Sequence, residues 1–237
     1  MVGFTMKGGL IEFTETFPIP IPNVIIFQYN PETMTHAWTP ATTGGAPAPG
    51  QAASNPLAIS GQPTESFAFT LAMDSNDTIA DGNAVVAGIA ELSGVYSRLA
   101  ALEMLLFPTA APGSGLIGSI SSALGLGGSS SPSPTQQVPA AQIPTVLFVW
   151  GPGRIVPVRV SALSITEKLY DSDLLNPTHV EAQITLKVLT PDELKYVDGP
   201  LGSLANTASS YMQTLREALA LANLANAVTS LVGMLPV

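Results

Sequence analysis

The chain has 237 residues, 46% hydrophobic and only 11% charged, with a formal net charge of −9. Eight basic residues against seventeen acidic ones exclude the basic footprint that nucleic acid or an anionic membrane surface requires. Without cysteine, disulfides and thiolate chemistry are excluded as well.

So small a charged fraction, against roughly a quarter in ordinary soluble domains, leaves little with which to solvate an exterior. It points to a surface covered by other copies or partners. The first residues, MVGFTMKGGLIEF, lack the basic region, long apolar core and cleavage site of a secretory signal, so none is expected.

In chain order, Leu10 to Phe13 is a first strand, and Pro18, Pro20 and Pro22 enforce an extended connection. Val24 to Tyr29 is a second, closed by Asn30-Pro31, because proline drives the residue before it out of helical geometry. Thr33 to Trp38 is a third extended run, followed by an Ala/Gly/Pro-rich insertion over 40–63. From Ser66 to Met73, Phe67, Phe69, Leu71 and Met73 alternate with smaller residues, the pattern of a half-buried strand. Asp74-Ser75-Asn76-Asp77 reads as a turn with capping residues before a helix over about 83–106. That helix carries Leu92, Val95, Tyr96, Leu99, Leu102 and Leu106 on one stripe.

A second low-complexity insertion spans 109–144, and Val146 to Trp150 then forms a short apolar strand ending in a Gly151-Pro152-Gly153 turn. Ile155 to Tyr170 and Thr178 to Leu189 are long strands joined by a hairpin connection through Asp171, Asp173 and Asn176. In the second of them Val180, Ala182, Ile184, Leu186 and Val188 alternate strictly with polar residues. A long sheet edge must be paired or blunted, and Glu181 and Lys187, the only charges on this strand, are weak protection; pairing with a neighbouring copy would resolve the exposure. A final helical tract runs from about Leu204 to Leu235, with Met212, Leu215, Leu219, Leu224 and Val228 on a rough stripe. Residues Ala218 to Val237 carry no charge, but Asn223, Asn226, Thr229 and Ser230 interrupt them, so membrane insertion is not expected.

No catalytic pattern emerges. His36 and His179 have no second ligand at metal spacing and read as polar-face or interface residues. There is no GxSxG elbow, P-loop or HExxH, and the Asp171, Asp173, Asn176 cluster lacks the order of a calcium loop. Neither enzyme activity nor a cofactor or metal is expected.

The ordered blocks Phe27-Gln28-Tyr29-Asn30-Pro31-Glu32, Ser66 to Leu71, Leu99 to Leu106, Val146 to Gly151, Val160 to Glu167 and Asn176 to Ala182 carry a resemblance. Together they resemble the N-terminal domain of contractile injection system tube proteins. This is the baseplate adaptor or tube-initiator family of phage-tail-like particles, whose members often carry a LysM domain. The resemblance covers residues 8–193; after Glu193 an alanine-rich helical tract stands where a LysM domain would be.

It implies a mainly β (α+β) fold: a two-sheet antiparallel β-sandwich or partial barrel of the phage tail-tube type, with a flanking helix. The tube-like domain would span 1–193 and a C-terminal helical extension 194–237. It further implies a homohexameric ring that joins the spike or hub protein to the inner-tube protein and templates tube assembly. Sheath or wedge baseplate proteins are further partners, and assembly would be cytoplasmic, within a particle that can be released. The alternatives are an inner-tube protomer and, from another class, a surface- or carbohydrate-binding β-sandwich module. Asn30, Pro31, Trp38, Trp150, His179, Glu181 and Lys187 are the candidate assembly and strand-interface residues.

Overall fold

The computed structural model describes residues 6–14, 21–41, 61–77, 93–107, 144–197 and 199–232. The strands are β1 (Gly9–Thr14), β2 (Ile21–Ile26), β3 (Met34–Thr39), β4 (Thr64–Asp74), β5 (Val146–Val149), β6 (Ile155–Tyr170) and β7 (Pro177–Val188). The helices are α1 (Tyr96–Met104), the single turn α2 (Pro191–Leu194) and the long α3 (Gly199–Val232). Most of both expected insertions, and the expected helical residues before 93, lie outside the described residues.

The fold is mainly β. In place of two packed sheets, the described strands form one open seven-stranded sheet in the order β2-β1-β5-β6-β7-β4-β3, with every pairing antiparallel. β7 therefore lies inside the sheet, bonded to β6 on one side and β4 on the other. The strand that alternates most strictly is not an edge, and its exposure needs no second copy. Among the described residues the outer strands are β2 and β3, and β4 beyond Phe69 has no partner on the β3 side.

One sheet makes a core because it coils. Strands β4 and β5 are three spacings apart, about 14 Å if the sheet were flat. Yet the Phe148 ring lies 5.5 Å from both Phe67 and Phe69, centroid to centroid. Strands β2 and β4 are five spacings apart, but Gln28, just past β2, bonds both backbone groups of Asp74: Nε2 donates to its carbonyl (2.8 Å) and Oε1 accepts from its amide (3.0 Å). The concave face thus encloses Phe27, Phe67, Phe69 and Phe148, with Val158, Val180, Ile184 and Leu186 beside them. Helix α1 adds Leu99 and Leu102 to this core.

β6 keeps its apolar side inward through a bulge. Val156, Val158 and Val160 are buried, whereas beyond the bulge the inward positions are Leu163 and Ile165. The parity changes at Ser161, where the pairing passes from Val160 with Leu186 to Ala162 with Thr185. Ser161 Oγ donates to the Thr185 carbonyl at 3.0 Å. Without the extra residue, the rest of β6 would turn its apolar side outward.

The first half of α3 lies on β6. Ala205 and Ala208 are buried and Met212 joins the main core, so the extension is docked onto the β domain. The expected stripe holds through Met212 and Leu215 and then leaves the body: Leu219 is 61% exposed. Leu224 and Val228 have side chains outside the described residues. Ile184 is wholly buried in the inner strand β7. Replacing it with Asp is expected to destabilise the fold by about 4 kcal/mol or more, read as the urea midpoint, because an uncompensated carboxylate enters the core.

Candidate assembly interface

The seven candidate residues fall into three groups. Asn30 and Pro31 hold the start of the chain. Asn30 Oδ1 accepts from the Gly8 amide and its Nδ2 donates to the Met6 carbonyl, each at 2.9 Å. The Phe27 amide donates to the Gly8 carbonyl at 2.9 Å, and a Cβ on Gly8 would fall 2.5 Å from the Trp150 ring. Asn-Pro after β2 thus clamps residues 6–8 against the sheet, where only glycine fits beneath Trp150. Trp150 itself is half-buried and lies 6.4 Å from Phe27 and 6.3 Å from Phe148, part of the core packing.

His179, Glu181 and Lys187 stand on β7, partly exposed, in a network of charges. Lys168 binds Glu181 at 2.5 Å and holds its carboxyl below the ordinary carboxylate range. His179 Nδ1 lies 3.4 Å from Asp74 Oδ2. Lys187 binds Glu193 at 2.9 Å, and Arg159 stands 3.9 Å from the same carboxylate. The polar side of the sheet is therefore laced by pairs within one chain.

Glu193 also closes a capping box on α2: the Thr190 hydroxyl accepts from its amide while its carboxylate accepts from the Thr190 amide. Burial pushes this carboxyl up, but the Thr190 amide and the Lys187 ammonium outweigh it and hold it below its ordinary 4.5.

Trp38 is the candidate that lies on an outer strand, and it belongs to a cluster centred on Glu65. Glu65 is 4% exposed. One of its oxygens lies 2.8 Å from His36 Nε2, and the other accepts from Arg216 Nη2 at 2.5 Å. The Arg216 guanidinium covers the Trp38 ring at 4.8 Å, His36 stacks on Phe67 at 4.5 Å, and the Arg154 guanidinium lies 4.9 Å from the same Phe67 ring. Tyr211 adds a bond to the Pro152 carbonyl at 2.9 Å. These contacts lock α3 across the β3 end of the sheet. They join a buried carboxylate to cations and aromatic faces, with no nucleophile or second carboxylate opposite among the described residues. Arg216 lies against the Trp38 ring, which is still 45% exposed.

Glu65 and Arg216 escaped the reading of the sequence. The signal was there: Glu65 is in phase with Phe67, Phe69, Leu71 and Met73, so a carboxylate faces the core side and requires a cation. What no spacing reveals is that the cation comes from 151 residues away. The Asp171 cluster is hairpin chemistry, as expected: Asp171 Oδ2 accepts from the Leu174 and Asp173 amides at 3.0 and 3.3 Å. Among the described residues no group of three or more His, Cys, Asp or Glu is placed to hold a metal ion, and no buried side-chain nitrogen or oxygen lacks a partner. No described helix is long and apolar enough to cross a membrane.

No protein-family model matches the chain, and a search of curated proteins found no match.

Arg216→Ala leaves Glu65 buried with His36 as its remaining ionisable partner; a loss of about 2 kcal/mol is expected in urea unfolding, the exposed half of the guanidinium moderating the effect. For Glu193 the folded-state carboxyl is depressed, so its contribution is complete above the unfolded value and disappears as pH falls through the folded one. Wild type and Glu193→Gln should therefore differ in melting temperature near neutral pH and converge below pH 4.5, as a pair of thermal melts would record.

Proposed function

We propose that the protein is a structural ring component of a contractile injection system. Six copies form a ring between the spike hub and the inner tube, and the ring templates tube polymerisation as a baseplate adaptor or tube initiator. The sheet would be of the tail-tube type, completed by its neighbours. The work is geometric, and no bond in a substrate is made or broken.

The observation that carries this reading is the open antiparallel sheet with outer strands β2 and β3. Along β3 every residue after Met34 is exposed, and its one titratable side chain, His36, is turned to Glu65. Natural edge strands are blunted with charge, proline or bulges, and β3 has none of these. The two outer strands differ, so pairing one to the other is head-to-tail, and contacts of that kind close into rings. The sparse charge of the chain and the ordered blocks from Phe27 to Ala182 support the same reading. The tract beyond Leu215, where α3 leaves the body, would be available to a sheath, wedge or spike component.

Thr35 and Ala37 are exposed on β3, on the side opposite His36 and Trp38. Replacing both with Lys charges this border without touching the core. Wild-type protein is expected to give six-fold rings or short stacks in negative stain, and the double variant to give monomers with an unchanged melting temperature. Rings that persist in the variant would remove β3 from the contact. Long filaments grown from the wild-type chain alone would favour an inner-tube protomer over an initiator.

A further inference from the structure

The β6–β7 hairpin ends in a tip that folding alone does not explain. Leu169, Tyr170, Leu174 and Leu175 are 71%, 56%, 55% and 72% exposed. Leu169 and Leu175 have φ of 52° and 56°, the left-handed region, which disfavours a leucine by about 1–2 kcal/mol each. Turn chemistry would favour Gly or Asn at both positions. The tip is nevertheless well held: the Asp171 amide donates to the Asn176 carbonyl at 2.8 Å, and Thr178 Oγ1 donates to the Leu169 carbonyl at 2.7 Å. A firm turn thus presents four large apolar side chains to solvent, next to Asp171 and Asp173.

A complementary surface lies on the far side of α1, whose start meets the hairpin base where the Val95 amide donates to the Pro177 carbonyl at 3.3 Å. Where the coiled sheet fails to close, β2, the unpartnered end of β4 and α1 enclose a groove of about 320 Å³. Val24, Ile26, Leu71, Met73 and Ala101 supply apolar lining, and Arg98 a positive one. A cavity of ~150 Å³ accommodates a benzene-sized group, so this groove has room for about two leucine side chains. Arg98 donates to Gln28 at 2.9 Å and has no carboxylate at ion-pair distance among the described residues. The tip carboxylates likewise have no cation at that distance among the described residues. The tip stays exposed in its own chain, so it does not fill its own groove.

We infer that the hairpin tip Leu169–Leu175 of one copy seats in the β2–α1 groove of a second copy, its leucines entering the apolar part and its carboxylates facing Arg98. Tip and groove are different surfaces, so the contact is head-to-tail when each pair of copies makes it once. It deepens the assembly reading by naming a contact beyond the sheet borders.

The chain has no cysteine, so single cysteines can be introduced cleanly. Leu175→Cys and Ala101→Cys chains carrying different tags are mixed and treated with a short bis-maleimide. A covalent dimer joining the two tags is expected, and its absence overturns the inference. In parallel, Leu174→Asp/Leu175→Asp, which alters only exposed positions, is expected to weaken self-association at least tenfold in sedimentation equilibrium with an unchanged melting temperature. Unaltered association, or loss only of binding to a different protein, also overturns it. Six-fold rings without the cross-link remove the tip contact and leave the ring; the cross-link without six-fold rings keeps the tip contact and removes the ring.

Discussion

The coil of a single sheet around one aromatic cluster is the constraint on which the rest depends. Seven strands laid flat would expose both faces, and no second sheet among the described residues covers them. Curvature brings Phe27, just past β2, together with Phe67 and Phe69 of β4 and Phe148 of β5, from strands that are not neighbours in the sheet. The bulge at Ser161 keeps β6 in phase with this curvature, and the paired bonds of Gln28 to Asp74 hold the two sides of the opening. Burial of apolar surface drives the closure, and hydrogen bonds fix its geometry.

Incomplete closure has two consequences. The outer strands have no further partner among the described residues, and the opening leaves an apolar groove beside α1. Charge does little to protect either. The charged pairs are spent within the chain: Glu65 with Arg216 fastens α3, while Lys168, Lys187 and Glu193 lace the polar side of the sheet. These pairs leave the apolar borders without charged cover, which is the physical basis of the assembly role proposed above.

Strand by strand, the fold was legible because period-two alternation survives wherever one side of a strand is buried. The Phe67 and Val180 runs are plain cases, and so is the hairpin turn written in Asp171, Asp173 and Asn176. What alternation does not encode is neighbour order. It could not place β7 inside the sheet, nor show that the described strands join in one coiled sheet, because neighbour order leaves each strand's alternation unchanged. The Asn30-Pro31 break was visible as a turn, but its use as a clamp on Gly8 depends on a contact 22 residues away. Trp150 reads equally well as core or interface until Gly8 and Phe27 are seen against it. The hairpin tip escaped notice because leucines inside a turn look like misplaced core residues until their exposure is measured.

Native mass spectrometry of the purified 237-residue chain at high micromolar concentration measures the central claim most directly, since it counts copies. The account predicts a dominant species of six chains, and a single chain that stays monomeric across that range would contradict it.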